Sequence, residues 1–334
     1  MRLQLGYVPL TDAAVLIAAV EGGFTRAEGL AVDLVAEPSW ATLRDKLALG
    51  LLDGAHMLAP LALASHLGLS GPPARLIAPA ALARNGNAVA LSRALWRALA
   101  PASDALADVA GALGRVAEAR AAEGRPLTLA TVHPFSSHTY QWRHLLERGG
   151  SSLAAVRLVV VPPPRTVEAL GSGQIDGICV GAPWGSIAVE AGVGRIAALG
   201  GAIAPGCPEK VLALSHEMEE RAVPLLRALR RAARWCGARQ NRAELAALLG
   251  APRHLGVDPA LIARGLSGAL RLDPEGPLTA VPDHLVLGEA ELTPDPAALS
   301  WLLDEMAAAG QIAPSAAARE AGRALYRPDL LAAA

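Results

Sequence analysis

Along the first eighty residues, short apolar runs alternate with stretches of mixed polarity. The apolar runs at 2–9, 31–36, 54–58 and 75–80 read as strands, and the intervening 12–21, 40–49 and 60–67 read as helices. Strand and helix in alternation predict a parallel sheet joined by crossover helices. A second series opens at Asn87-Ala88-Val89-Ala90-Leu91. It continues with Ala-rich helical stretches over 93–123, a strand Leu127 to Val132, a helix at 137–148 and a strand Val156 to Val161 closed by three prolines. A helix at 165–171, a strand Ile175 to Val180 and a helix at 183–191 complete it.

The run Glu209-Lys210-Val211-Leu212-Ala213-Leu214 is strand-like again and leads into Arg-rich amphipathic helices over 216–249. This predicts two lobes: a discontinuous lobe I of residues 1–88 and 212–334, and a lobe II of residues 89–211. Each lobe is expected to be a mainly parallel sheet flanked by helices. Residues after 251 alternate Pro/Gly turns with short helices, the last near 296–309 and 314–324, and are expected to wrap the first lobe.

Composition narrows the classes. At 334 residues the chain is long enough for two cores. Aromatics are 3%, so those cores must be built mainly from Ala, Leu and Val. Lys+Arg 30 against Asp+Glu 31, with no basic run, lacks the footprint of a nucleic-acid binder. No long uncharged apolar stretch predicts a membrane span. Met1 leads directly into a strand-like segment instead of a basic, then apolar, leader, so the expectation is a cytoplasmic chain. Cys179, Cys207 and Cys236 lack metal-ligand spacing and read as buried thiols. Among the basic residues only Lys46 and Lys210 are lysines, and a site that keeps Lys against so strong an Arg bias suits a compact ammonium.

Polar residues gather after the predicted strands, where open α/β sheets bind ligands. Thr11-Asp12 reads as a helix-capping pair or as ligand contacts. Ser39 is a candidate N-cap, and Trp40 in the following turn, too exposed there for an ordinary core anchor, offers an apolar wall or an indole donor. Asn85-Gly86 is a turn signal, while Asn87 begins a strand and offers an amide. His133-Pro134-Phe135-Ser136-Ser137-His138 precedes and opens a helix, where free N–H groups and the positive dipole end outline an anion site. His133 reads as structural; Ser137 and His138 are candidate contacts, with a water-facing His138 as the alternative. Lys210 supplies a counter-charge, whereas Lys46 beside Asp45 reads as solvated. No nucleophile with a base, phosphate-cradling Gly-rich loop, dinucleotide fingerprint or metal cluster accompanies them. The expectation is an anion-binding pocket with no cofactor.

Several motifs carry a resemblance. Gly6-Tyr7-Val8-Pro9-Leu10-Thr11-Asp12, Ser39-Trp40 with Leu43-Arg44-Asp45-Lys46-Leu47, and Asp53-Gly54-Ala55-His56-Met57-Leu58-Ala59-Pro60 resemble the nitrate- and bicarbonate-binding proteins of ABC importers. The match continues through Asn85-Gly86-Asn87-Ala88, Ser137-His138 with Arg143 and Gly149-Gly150, Ala182-Pro183-Trp184, and Pro208-Glu209-Lys210-Val211-Leu212, over about residues 1–250. The resemblance implies a type II periplasmic-binding-protein fold that clamps nitrate or a similar anion. By position it implies contacts from Trp40, Asn87, His138 and Lys210, with Asn87 standing where the importer proteins typically carry Gln. With no export leader or lipid-attachment Cys, the resemblance points to the family's cytoplasmic nitrate/nitrite sensor. That sensor is expected to hold an RNA-binding antiterminator response regulator as its partner, without touching RNA itself. A substrate-binding component of a nitrate, sulfonate or bicarbonate importer is the alternative, followed by an enzyme of the menaquinone or thiamine-precursor pathways on the same fold.

Overall fold

The computed structural model describes residues 2–334, which divide into two compact units. The first contains residues up to 84 together with 208–263 and 285–334; the second contains 85–207 and 264–284.

The first unit is built on a six-stranded sheet in the order Leu285–Val286, Leu76–Asn85, Pro208–Ser215, Gly54–Leu58, Arg2–Tyr7, Ala31–Ala36. Arg2–Tyr7 runs parallel to both of its neighbours, whereas Pro208–Ser215 is antiparallel to Gly54–Leu58 and Leu76–Asn85. The sheet is therefore mixed where the βα alternation predicted a mainly parallel one. The antiparallel member comes from late in the chain, where no local alternation foretells its direction. Gly54–Leu58 is buried along its whole length. Its first residue has no room for a side chain: a Cβ on Gly54 would lie 2.4 Å from Leu214 Cδ2 and 3.0 Å from the Ala213 carbonyl oxygen.

Helices cover this sheet. Trp40–Ala48 starts as expected at Ser39, whose hydroxyl accepts the Thr42 N–H at 3.2 Å. Ala222–Gly237 buries Leu225, Leu226, Leu229 and the alanines between them against Ala14–Glu21 and keeps its arginines on the opposite face. Burial of each such leucine stabilises the unit by about 2 kcal/mol.

The second unit holds a five-stranded sheet in the order Val156–Val160, Leu127–Thr131, Gly177–Gly181, Asn87–Ser92, Gly194–Leu199. The first three are parallel; Asn87–Ser92 is antiparallel to both of its neighbours. Gly194–Leu199 was not among the predicted strands. Its sides alternate buried and half-buried, as suits an edge strand. Val89, Leu91, Leu113, Leu129, Trp142 and Leu145 form the core, and the Trp142 indole donates to the Ala130 carbonyl at 2.8 Å. Two helices, Leu106–Ala122 and Ser137–Arg148, approach closely where Gly114 meets Gly149; a Cβ on Gly114 would stand 2.1 Å from the Gly149 carbonyl oxygen.

The C-terminal third departs from expectation. Residues 264–284 belong to the second unit, not to a wrapping of the first. Their hairpin, Ala269–Arg271 with Leu278–Ala280, leads to a docking on the Gly194–Leu199 edge. There the Ile196 N–H donates to the Leu272 carbonyl at 2.9 Å, and Arg195 pairs with Asp273 at 2.7 Å. An edge strand offers unpaired backbone groups, and this segment satisfies one of them. Among the described residues no helix is long and apolar enough to cross a membrane.

Candidate functional site

In the first unit, the chain leaves the Arg2–Tyr7 strand and enters the short helical turn Thr11–Ala13. The capping reading of Thr11-Asp12 is corrected here: the N-cap is Leu10, and no side chain bonds to the turn's backbone. Asp12 points instead into the protein. Its Oδ1 lies 2.8 Å from His56 Nε2 and its Oδ2 2.9 Å from Lys210 Nζ, with all three residues at most 1% exposed. Thr11 is buried beside it. The Lys210 ammonium also lies 3.4 Å from Glu209 Oε2.

Trp40 closes the cluster. The expectation of an exposed indole fails, because Trp40 is fully buried, its ring tilted against His56 at a centroid distance of 5.5 Å. Lys210 Nζ stands 6.0 Å from the Trp40 centroid, at the outer reach of a cation–π contact. Trp40 Nε1 and His56 Nδ1, both buried, have neither a hydrogen-bond nor an ion-pair partner among the described residues. Burial alone raises the Asp12 carboxyl, but the Lys210 ammonium and then His56 outweigh it and hold Asp12 below the ordinary carboxylate range. Burial lowers Lys210, and Asp12, followed by Glu209, reverses that and raises it. An ionised Asp12 can only accept, so His56 Nε2 carries the proton between them. Lys46, expected to be solvated, is half-exposed and pairs with the buried Glu37 at 2.6 Å, while Asp45 pairs with Arg44.

The second unit gathers the other predicted residues. Asn85 ends the Leu76–Asn85 strand and Gly86 links it to the next, both with positive φ, 63° and 100°, the backbone that an Asn-Gly pair favours. Asn87 then opens its strand, and its Nδ2 donates toward Ser137 Oγ at 3.3 Å and Gln141 Oε1 at 3.4 Å. Ser136 caps the Ser137–Arg148 helix by accepting the Thr139 N–H at 3.2 Å, leaving Ser137 and His138 in the first turn. His138 is fully buried, which removes its water-facing alternative. His133 is structural as read: its Nδ1 accepts the Phe135 N–H, and its carbonyl receives the Ser136 and Thr139 hydroxyls. Gly200 backs this cluster; a Cβ there would come within 2.9 Å of Asn87 Cβ and Gln141 Nε2.

The predicted residues thus fall into two sets: Thr11, Trp40 and Lys210 in the first unit, Asn87, Ser137 and His138 in the second. Sequence reasoning missed His56 and Gln141 as members. His56 had one available signal, an imidazole in the middle of an apolar strand. Gln141 sits one helical turn beyond Ser137, and its amide also accepts from the buried Cys179 thiol at 3.3 Å. All three cysteines are buried thiols outside any disulfide, as expected. The first set combines an ammonium, an imidazole and an indole N–H, and the second an amide and a hydroxyl at a helix start. Both are chemistries that hold an oxyanion by charge and hydrogen bonds.

Residues 1–250 match the NMT1-like family along three quarters of the chain. The chain belongs to the NMT1-like family. Within reach of it are the nitrate/nitrite binding protein NrtA of Synechococcus elongatus, 32% identical over 73% of this chain and 56% of that protein. The nitrate import ATP-binding protein NrtC of Synechocystis sp. is 35% identical over 79% of this chain and 39% of NrtC. This member of the family therefore spans less than half the length of the first relatives it matches. The crystal structure of the periplasmic nitrate-binding protein NrtA from Synechocystis PCC 6803 superposes with a TM-score of 0.91 at 25% identity, covering 99% of this chain and 87% of that one. The expected periplasmic-binding-protein-like α/β fold is confirmed by that likeness. These relatives are named for binding nitrate or ATP, and the resemblance to nitrate-binding proteins stands.

Proposed function

We propose that this NMT1-like protein binds nitrate or nitrite. The observation that carries the reading is the buried group of Lys210, Trp40 and His56, in which the Trp40 indole N–H and His56 Nδ1 have no protein partner and the Lys210 ammonium stands 6.0 Å from the Trp40 ring centre. The relatives named for nitrate binding support it. Thr11, Trp40 and Lys210 are the proposed contacts of the first unit; Asn87, Ser137 and His138 are those of the second. Isothermal titration with nitrate, nitrite, bicarbonate and sulfate in separate runs tests it. Micromolar binding of nitrate or nitrite alone, on the order of −8 kcal/mol, is expected. Trp40→Phe, which keeps the ring and removes the N–H, is expected to weaken binding about tenfold. Silence with all four anions would reject the function.

For the biological use of binding, we propose a cytoplasmic sensor that reports the anion to an antiterminator response regulator, the regulator and not this chain contacting RNA. The ligand must then favour the state that releases the partner, because equal affinity for both states shifts nothing. Co-purification with the regulator in the absence of nitrate, lost when nitrate is added, is the expected result. Association with a transporter's membrane subunits in place of a regulator would assign the chain to an importer instead.

A further inference from the structure

His56 lies in the middle of Gly54–Leu58, a strand buried along its length, where an ionisable ring is costly without a purpose. One face of its chemistry is fixed: Nε2 donates to Asp12 Oδ1 at 2.8 Å. The other is open. Nδ1 is buried and has no partner, and the Trp40 ring packed against it carries an indole N–H in the same condition.

Charge counting gives this opening a meaning. The Lys210 ammonium is already matched by Asp12 at 2.9 Å and lies 3.4 Å from Glu209, so it is not a spare cation for an arriving monoanion. With Asp12 and Glu209 set against Lys210, this buried group has no net positive charge, so bringing in a monoanion is unfavourable unless a positive charge enters with it. The groups facing the imidazole are Asp12 from the Thr11–Ala13 turn, Lys210 from the neighbouring Pro208–Ser215 strand with Glu209 behind it, and the uncharged Trp40 indole. Of these, the imidazole is the group that gains a positive charge by accepting a proton, and its Nδ1 lone pair is the one left without a partner. A neutral ring turns the Nδ1 lone pair toward the anion's oxygens and repels them, while a protonated ring offers N–H, with Asp12 balancing it from the far side.

We propose that His56 is an anion-contacting residue that takes up a proton at Nδ1 when nitrate or nitrite binds, so that anion and proton enter together. The step is a proton transfer from water or buffer to the Nδ1 lone pair, and nothing is oxidised or reduced. This inference rests on the anion-binding function proposed above and adds to it a residue and a stoichiometry.

The test is titration calorimetry of the full chain with nitrate in buffers of different ionisation enthalpy, repeated across pH 6 to 9. The expected result is an observed heat that depends on the buffer, giving up to one proton taken up per anion, with affinity falling by up to about tenfold for each pH unit. His56→Gln retains an amide N–H for Asp12 but cannot titrate. It is expected to bind more weakly and to lose the buffer dependence, while His138→Gln keeps it. Nitrate binding without any buffer dependence, or a dependence that survives His56→Gln and vanishes in His138→Gln, overturns the proposal and leaves the binding function intact. Absence of nitrate and nitrite heat at every pH overturns the function itself. The wild-type experiment decides the stoichiometry even where a variant fails to fold.

Discussion

Asp12 carries two partners on one carboxylate, His56 on one oxygen and Lys210 on the other, and all three residues are buried. Removing one member of a buried pair leaves the other charge without compensation, which costs about 3 to 5 kcal/mol. Asp12→Asn is therefore expected to lower the unfolding free energy by that amount, read by urea titration; a variant within about 1 kcal/mol of the parent would show that the pair contributes little. The sign of the pH effect differs at the two ends. The depressed Asp12 contributes stability that is present above its ordinary value of 3.8 and lost as pH falls below it. The raised Lys210 contributes stability that is present below 10.5 and lost as pH rises through its folded value. A second histidine acts in a different window. Burial pushes His284 down from 6.5 to about 4, so the unfolded chain takes up a proton first as pH falls. Stability is expected to drop by on the order of 3 kcal/mol between pH 6.5 and 4 from this residue alone. Denaturant titrations at several pH values should show that slope in the parent and its loss in His284→Phe; an unchanged slope would acquit the residue.

At the scale of elements, the close contacts are set by absent side chains. The Leu106–Ala122 and Ser137–Arg148 helices meet where Gly114 faces the Gly149 carbonyl, with 2.1 Å available to a Cβ. A side chain must push backbone apart there, so Gly114→Val is expected to destabilise the second unit by about 2 to 3 kcal/mol, read by thermal unfolding. A neutral result would mean that the helices part freely. Gly114 is helical and could not have been singled out from sequence, because its reason lies on another helix. The elements legible beforehand were those whose signal is local: the runs at 31–36 and 54–58 and the 137–148 helix fall where apolar pattern and caps place them. What stayed hidden was non-local. The direction of Pro208–Ser215 depends on partners more than a hundred residues earlier, and the edge strand Gly194–Leu199 is completed by Leu272 and Asp273. The site divides in the same way. Trp40, Asn87, His138 and Lys210 carried a motif signal, whereas Asp12 looked like a cap until its carboxylate was seen to reach across 44 residues to His56.

The whole molecule is threaded so that neither unit is continuous in sequence. The chain passes between them after residues 84, 207, 263 and 284. The first two passages lie beside Asn85-Gly86 and the Cys207-Pro208 junction and the last beside the Pro282-Asp283 turn, while the third falls within the Pro259–Ser267 helix. With two units, a single melting temperature does not locate a ligand, but hydrogen exchange does. A ligand that binds only the folded state stabilises it by about 2.7 kcal/mol at one hundred times its Kd, equivalent to about hundredfold slower exchange through full unfolding. Peptides covering Gly54–Leu58 and Pro208–Ser215 report on the first unit, and those covering Asn87–Ser92 and Gly177–Gly181 on the second. If Lys210, Trp40 and His56 hold the anion, nitrate at that excess slows exchange of the first pair of strands about hundredfold. Protection confined to the second pair would move the binding chemistry to Asn87, Ser137 and His138. It would leave the Asp12, His56 and Lys210 group as an internal ion network, whose role is to stabilise the sheet it crosses.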